Sequence, residues 1–280
     1  MSTPIMLMVL LGALLHASWN VLAKSGGDAL IDTTLILLGG SVLAVLALPL
    51  LPAPAPASWP FIATSSVLQV GYFALVGAAY RSGEVSLAYP LMRGTAPLLL
   101  ALVSSVVLGE SLSARAACGV VIICIGVLTM APAHRRSQAD WRTIGFALVN
   151  AVVIAAYTLV DGVGVRRSHN AMAYTLTIFL ASSVLFVPWV AWRHSGALAA
   201  AVRRHWHLGL AGGACIILSY ALALWAMTRG PIAPVAALRE TSILFGLLLA
   251  RIALHERPSR TRVAGGLLIL AGAGALRLGQ

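Results

Sequence analysis

Apolar runs of about 20 residues recur along this chain from one end to the other, separated by short loops. A helix rising ~1.5 Å per residue needs such a run to cross roughly 30 Å of hydrocarbon, where backbone polar groups have no water to bond. Strands of a membrane barrel would instead show ~10-residue alternating segments, and none is evident. With 60% hydrophobic and 10% charged residues over 280 positions, too little polar sequence remains for a soluble domain. The expected fold is an all-α polytopic membrane protein. Ten spans are predicted: 4–24, 31–51, 59–81, 84–108, 113–131, 142–163, 170–192, 206–228, 232–254 and 262–278. The first lacks a basic flank and a cleavage motif and reads as a retained helix.

A second pattern organises the first. Shifting the chain by 146 residues superposes Arg93 on Arg239, Thr95 on Thr241, Glu110 on Glu256, Gly119 on Gly265 and Gly126 on Gly272. This internal repeat divides the chain into residues 1–131, a basic linker over 132–141, and residues 142–280, the two halves forming one integrated membrane domain. Five helices per half is an odd number, so the halves enter the membrane with opposite orientation. Ten transmembrane helices as two inverted five-helix repeats is an arrangement secondary transporters use, with a site between the halves. The loop PAPAPAS at 52–58 reads as extended and uncharged.

Polar side chains concentrate on single helix faces. Gly12, His16, Trp19, Asn20 and Lys24 share one face of the first helix. Gln69, Tyr72, Val76 and Tyr80 share one in the third, and Asn150, Ile154, Tyr157 and Asp161 one in the sixth. Lipid cannot satisfy these groups, so the faces turn inward, either to bond between helices or to line a cavity for a polar or amphipathic solute. In the fourth helix Tyr89 and Arg93 stand one turn apart, with Pro90 and Pro97 nearby loosening the helix.

Arg93 and Arg239 each cost ~2.5–3.5 kcal/mol mid-span unless paired or hydrated. Glu240 is their expected partner; Asp161 is placed near a span end and the remaining acids in loops or at span edges. Two uses remain open: an ion pair joining the halves, or an arginine that meets a substrate carboxylate beside a titrating glutamate. Cys118, Cys124 and Cys215 lack metal spacing and read as core packing residues. Gly119, Gly126, Gly265 and Gly272 point to close helix contact within the chain or a homodimer face. HExxH, GxSxG and Walker-type motifs are absent, so no catalytic residue, metal or cofactor is expected, and the basic loops bearing the +11 net charge read as bilayer anchors rather than a nucleic-acid surface. A membrane enzyme or lipid-handling protein is the competing class.

The stretches GALLHASWNVLAKSG, AYRSGEVSLAYPLMRGTAPLL, AAYTLVDG and SYALALWAMTRGPIAPVAALRETSILFG resemble, over essentially the full length, the EamA-type branch of the drug/metabolite transporter superfamily. That resemblance implies two inverted halves and a central cavity lined by helices 1, 3, 4, 6, 8 and 9. It also implies export of small metabolites across a bacterial inner membrane, with the aromatic amino-acid exporters nearest in layout. It carries roles in substrate binding onto Tyr89, Arg93, Thr95, Tyr157, Tyr220, Arg239, Glu240 and Ser242; the polar faces add His16, Trp19, Asn20, Tyr72, Tyr80 and Asn150. The expected partners are a small-molecule substrate and the lipid bilayer, with the chain a monomer or a homodimer. Orientation divides the two lines of reasoning. Lysine and arginine outside the span interiors number 12 on the side of the odd-numbered loops against 5 on the side of the termini, which places the termini outside the cytoplasm. Members of the resembled family have them inside.

Overall fold

The structure, a computed structural model, describes residues 2–23, 28–82, 85–131, 138–254 and 259–278. Among these the regular structure is helical: α1 Thr3–Leu22, α2 Ala29–Ala47, α3 Trp59–Ser82, α4 Val85–Val107, α5 Ala114–Leu128, α6 Gln138–Ser168, α7 Ala171–Met227, α8 Ile232–Arg239, α9 Ser242–Leu254 and α10 Arg260–Leu278, with two short 3₁₀ turns between α2 and α3. Among the described residues, seven helical stretches are long and apolar enough to cross a membrane. Lys24, Glu256, the linker residues 132–137 and the Tyr80 side chain lie outside the described residues.

Local chemistry sets the helix starts. Asp28 accepts from the Leu30 and Ile31 amides, Ser113 from Ala116 and Asn170 from Ala173, each satisfying donors that a first turn leaves free. Within the apolar helices Thr34, Ser41, Ser66, Thr175 and Thr177 donate their hydroxyls to carbonyls four residues back, so no partner from the bilayer is needed.

Two expected elements differ in outline. The seventh and eighth spans are joined without an intervening loop, so α7 covers both; its backbone leaves helical geometry at His194 and His205, where one helix gives way to the next. At ~1.5 Å per residue it would measure ~85 Å if straight, so those two breaks are where it turns. The ninth span is divided at Glu240 and Thr241. There the Glu240 and Thr241 amides bond to the Ala237 and Leu238 carbonyls, three residues back, and the Thr241 hydroxyl also takes the Leu238 carbonyl at 2.7 Å. The tightened turn ends α8 and restarts the chain as α9. Two loops also differ from expectation. The end of the 132–141 linker from Gln138 is already helical. The 52–58 loop is tied down: Asn170 donates to the Pro52 carbonyl and the Ala55 amide to that of Ser168.

The halves pack through small residues. Gly126 stands against Gly265 and Gly119 against Gly272, so α5 and α10, equivalent in the repeat, run antiparallel. A Cβ on Gly126 would come within 2.7 Å of the Gly265 carbonyl, which is why the contact needs glycine. These glycines therefore serve contact inside the chain. Gly39 and Gly40 likewise abut Gly209 and Gly213 where α2 meets α7. α3 and α4 pack on α6 while α7 and α9 pack on α1, the same arrangement repeated with the halves exchanged. Cys124 is buried and Cys215 partly so, but Cys118 is exposed, because the glycine face of α5 and not its cysteine side is turned to α10.

Candidate functional site

Inside the bundle, residues of α1, α3, α4, α6, α7 and α8 line a cavity. Aromatic rings form much of its wall. Tyr72 meets Tyr157 edge to face at 5.9 Å between centroids, Tyr157 meets Tyr220 at 6.5 Å and Phe179 meets Tyr220 at 6.0 Å, with Phe73 beside Tyr72. Such T-shaped contacts fix the rings and keep an apolar yet polarisable surface facing inward. His16 and Trp19 close one side, the indole N–H donating to His16 Nδ1 at 3.2 Å.

The charged floor comes from α4 and from the broken segment. Arg93 Nε donates to Glu240 Oε2 at 2.9 Å, both side chains being almost wholly buried. The Arg239 guanidinium sits 5.0 Å over the Tyr220 ring, a cation–π contact that partly replaces lost hydration. Arg93 Nη2 is buried and has no hydrogen-bond partner among the described residues. A second, smaller space of about 290 Å³ lies across this cluster, lined by Pro97, Ile154, Thr158, Ala236 and Glu240 among others. Arg93, Tyr157 and Arg239 line both spaces.

Of the residues singled out in the sequence, His16, Trp19, Tyr72, Arg93, Tyr157, Tyr220, Arg239 and Glu240 line one or both spaces. The others stand elsewhere. Asn20 gives its amide to the His16 carbonyl of its own helix at 2.7 Å. Asn150 is fully buried and donates to Met92 Sδ, joining α6 to α4. Tyr89 and Thr95 lie on α4 on either side of Arg93 but outside both linings, and Ser242 is buried at the start of α9 with its hydroxyl unpartnered.

Sequence reasoning left out Phe73, Phe179, Ile216 and Ser219 of the lining, and placed Gln69 on the inward face of α3 without naming it among the binding residues. It also placed Asp161 near a span end, whereas that carboxylate is fully buried and receives the Tyr174 and Tyr220 hydroxyls. Its position one turn beyond Tyr157 was the available signal. Glu110 is another acid with more to do than its loop position indicated. One oxygen accepts Arg166 Nη2 at 2.7 Å and the other the Ile232 amide at 2.9 Å, while Arg166 also holds the Met227 and Gly230 carbonyls. This latch ties the chain after α4 and the end of α6 to the turn entering α8.

The profile of the EamA-like transporter family matches residues 3–131 and again residues 141–277, one match on each half. The chain belongs to that family. This makes it a membrane transporter of the drug/metabolite superfamily built as two copies of one unit. A solved crystal structure with 18% sequence identity superposes with a TM-score of 0.80, covering 99% of this chain and 98% of the other, so the two share one fold over nearly their whole lengths. No curated protein matches this chain.

Proposed function

We propose that this EamA-like protein is a secondary transporter that exports amino acids, aromatic ones included, or closely related carboxylate metabolites by alternating access in a bacterial inner membrane. The observation that carries the reading is an unmatched donor on the cavity floor. Arg93 and Arg239 both line the cavity, and Arg93 Nη2 is a buried donor without a partner among the described residues. The cluster lacks one acceptor, and a solute carboxylate supplies it. Tyr72, Tyr157, Phe73 and Phe179 then offer an aromatic wall for the rest of the solute.

In this reading ten spans in two inverted halves rock about the shared cluster, and the spaces on its two sides are alternately joined to the two faces of the membrane. The substrate-binding set is His16, Trp19, Tyr72, Arg93, Tyr157, Tyr220, Arg239 and Glu240, in a chain that works as a monomer or a homodimer. Counterflow into proteoliposomes loaded with single amino acids tests it. Accumulation of labelled aromatic amino acid is expected; absence of counterflow for every amino acid tried, beside transport of a cation, would overturn the substrate assignment.

A further inference from the structure

Asp161 is a buried acid for which the transport reading so far has no use. It is fully inaccessible on α6 and forms no ion pair with a described cation. Tyr174 donates to its Oδ1 at 3.1 Å and Tyr220 to its Oδ2. The two tyrosines come from opposite limbs of α7, one before the His194 break and one after the His205 break. One carboxylate of α6 therefore gathers both limbs of α7 through neutral donors. The charged groups nearby are engaged elsewhere. Arg239 of α8 lies over Tyr220, Arg166 is held by Glu110, Arg167 stacks on Phe61 at 4.8 Å, and His16 of α1 accepts from Trp19 across the cavity. Tyr157 on α6 itself and Tyr72 of α3 complete the titratable surroundings.

The two protonation states of such a group cannot keep the same hydrogen bonds. Ionised, the carboxylate only accepts; protonated, it must donate once, so one neighbouring hydroxyl must turn its hydrogen away. Tyr174 has no room, because its hydroxyl lies against Gly164 and the residue is fully buried. Tyr220 does, because it lines the cavity. We propose that Asp161 is a proton-binding site coupled through the Tyr220 hydroxyl to the solute cavity. With the proton on Asp161, Tyr220 accepts from the acid and directs its own hydrogen toward the space beside Arg239, adding a donor for an anionic group. Neutralising Asp161 also removes a negative charge near that group, so both effects make solute binding draw a proton onto Asp161, and linkage makes the reverse equally true.

The inference builds on the exporter reading, but its primary test needs no solute. In pH-difference infrared spectra of the purified full chain, a protonated-carboxyl stretching band is expected to grow in as pH falls, to vanish in Asp161→Asn and to remain in Glu240→Gln. No such band in the native protein, or one that survives Asp161→Asn, overturns the proposal. If Asp161→Asn does not fold, Tyr220→Phe keeps the acid with one neighbour fewer and moves the band to higher frequency; an unmoved band assigns it elsewhere. Adding an amino acid that supports counterflow should enlarge the band in the native protein, and a band indifferent to it refutes the coupling. Lack of counterflow for every amino acid would sink the exporter reading while the band still answers for Asp161.

Discussion

Removing the carboxylate of Glu240 is the sharpest perturbation of this molecule. Arg93 is 6% exposed and Arg239 8%, and Glu240 lines the second space together with both. In Glu240→Leu the buried Arg93 guanidinium loses the carboxylate to which its Nε donates. Removing one partner of a buried pair costs about 3–5 kcal/mol, because the remaining charge stays desolvated. For a chain of this size a kcal/mol moves the melting temperature by roughly 2–4 °C, so Glu240→Leu is expected to melt about 6–20 °C below the native protein. The assay is thermal unfolding in detergent or nanodiscs, read by loss of monodisperse protein. The double variant Arg93→Met with Glu240→Leu removes both sides of the pair and leaves one arginine on the Tyr220 ring; it should recover at least half of the loss, since apolar replacement of a whole buried pair is often neutral. A drop of under about 1 kcal/mol in the single variant, the worth of a surface pair, would mean that water already screens this cluster, and the argument that Arg93 has room for a second, solute carboxylate in a dry site would fall with it.

Other substitutions test separate parts of the argument. Gly126→Ala forces a methyl against the Gly265 carbonyl and the Ile269 amide, 2.7 and 2.9 Å from the added carbon, and should cost about 1–3 kcal/mol in the same melting assay while leaving Gly145→Ala, which meets open space, near native. Glu110→Ala strips a charged acceptor from both Arg166 and the Ile232 amide; a loss of about 1.5–3 kcal/mol is expected, with faster proteolysis in the turn after Met227. Arg239→Lys retains the charge but loses the planar face over Tyr220, and should raise the amino-acid concentration for half-maximal counterflow about tenfold, equivalent to about 1.4 kcal/mol.

Much of this was legible in the sequence, for physical reasons that particular residues make plain. Membrane helices announce themselves by length and hydropathy, and His16, Tyr72 and Tyr157 were traceable because each shares a helix face with other polar groups that lipid cannot satisfy. What a face cannot reveal is how far along its helix a neighbour reaches. Asn20 and Asn150 sit on the correct faces yet spend their amides on a backbone carbonyl and on Met92, contacts that depend on the packed partner. Phe179, Ile216 and Ser219 carry no polar periodicity and enter the lining only because α7 doubles back at His194 and His205. The break in the ninth span left no proline or glycine at Glu240 to mark it; it arises from a run of three-residue-back hydrogen bonds.

The unequal members of the repeat explain where the charge cluster stands. Gly94 is the counterpart of Glu240, and α4 passes through it unbroken because it packs along α5: a Cβ at Gly94 would come within 2.8 Å of the Leu128 side chain and 3.2 Å of the Cys124 carbonyl. No glutamate fits there. In the second half α9 makes little contact with α10, the counterpart of α5, and α8 instead packs against α4 and α5. Position 240 is therefore relieved of the constraint that holds position 94 to glycine, and the chain can place a carboxylate there only by turning it across the interface to Arg93. Duplication supplied the two arginines. The loss of one helix contact on one side supplied the room for the acid that pairs with the first of them.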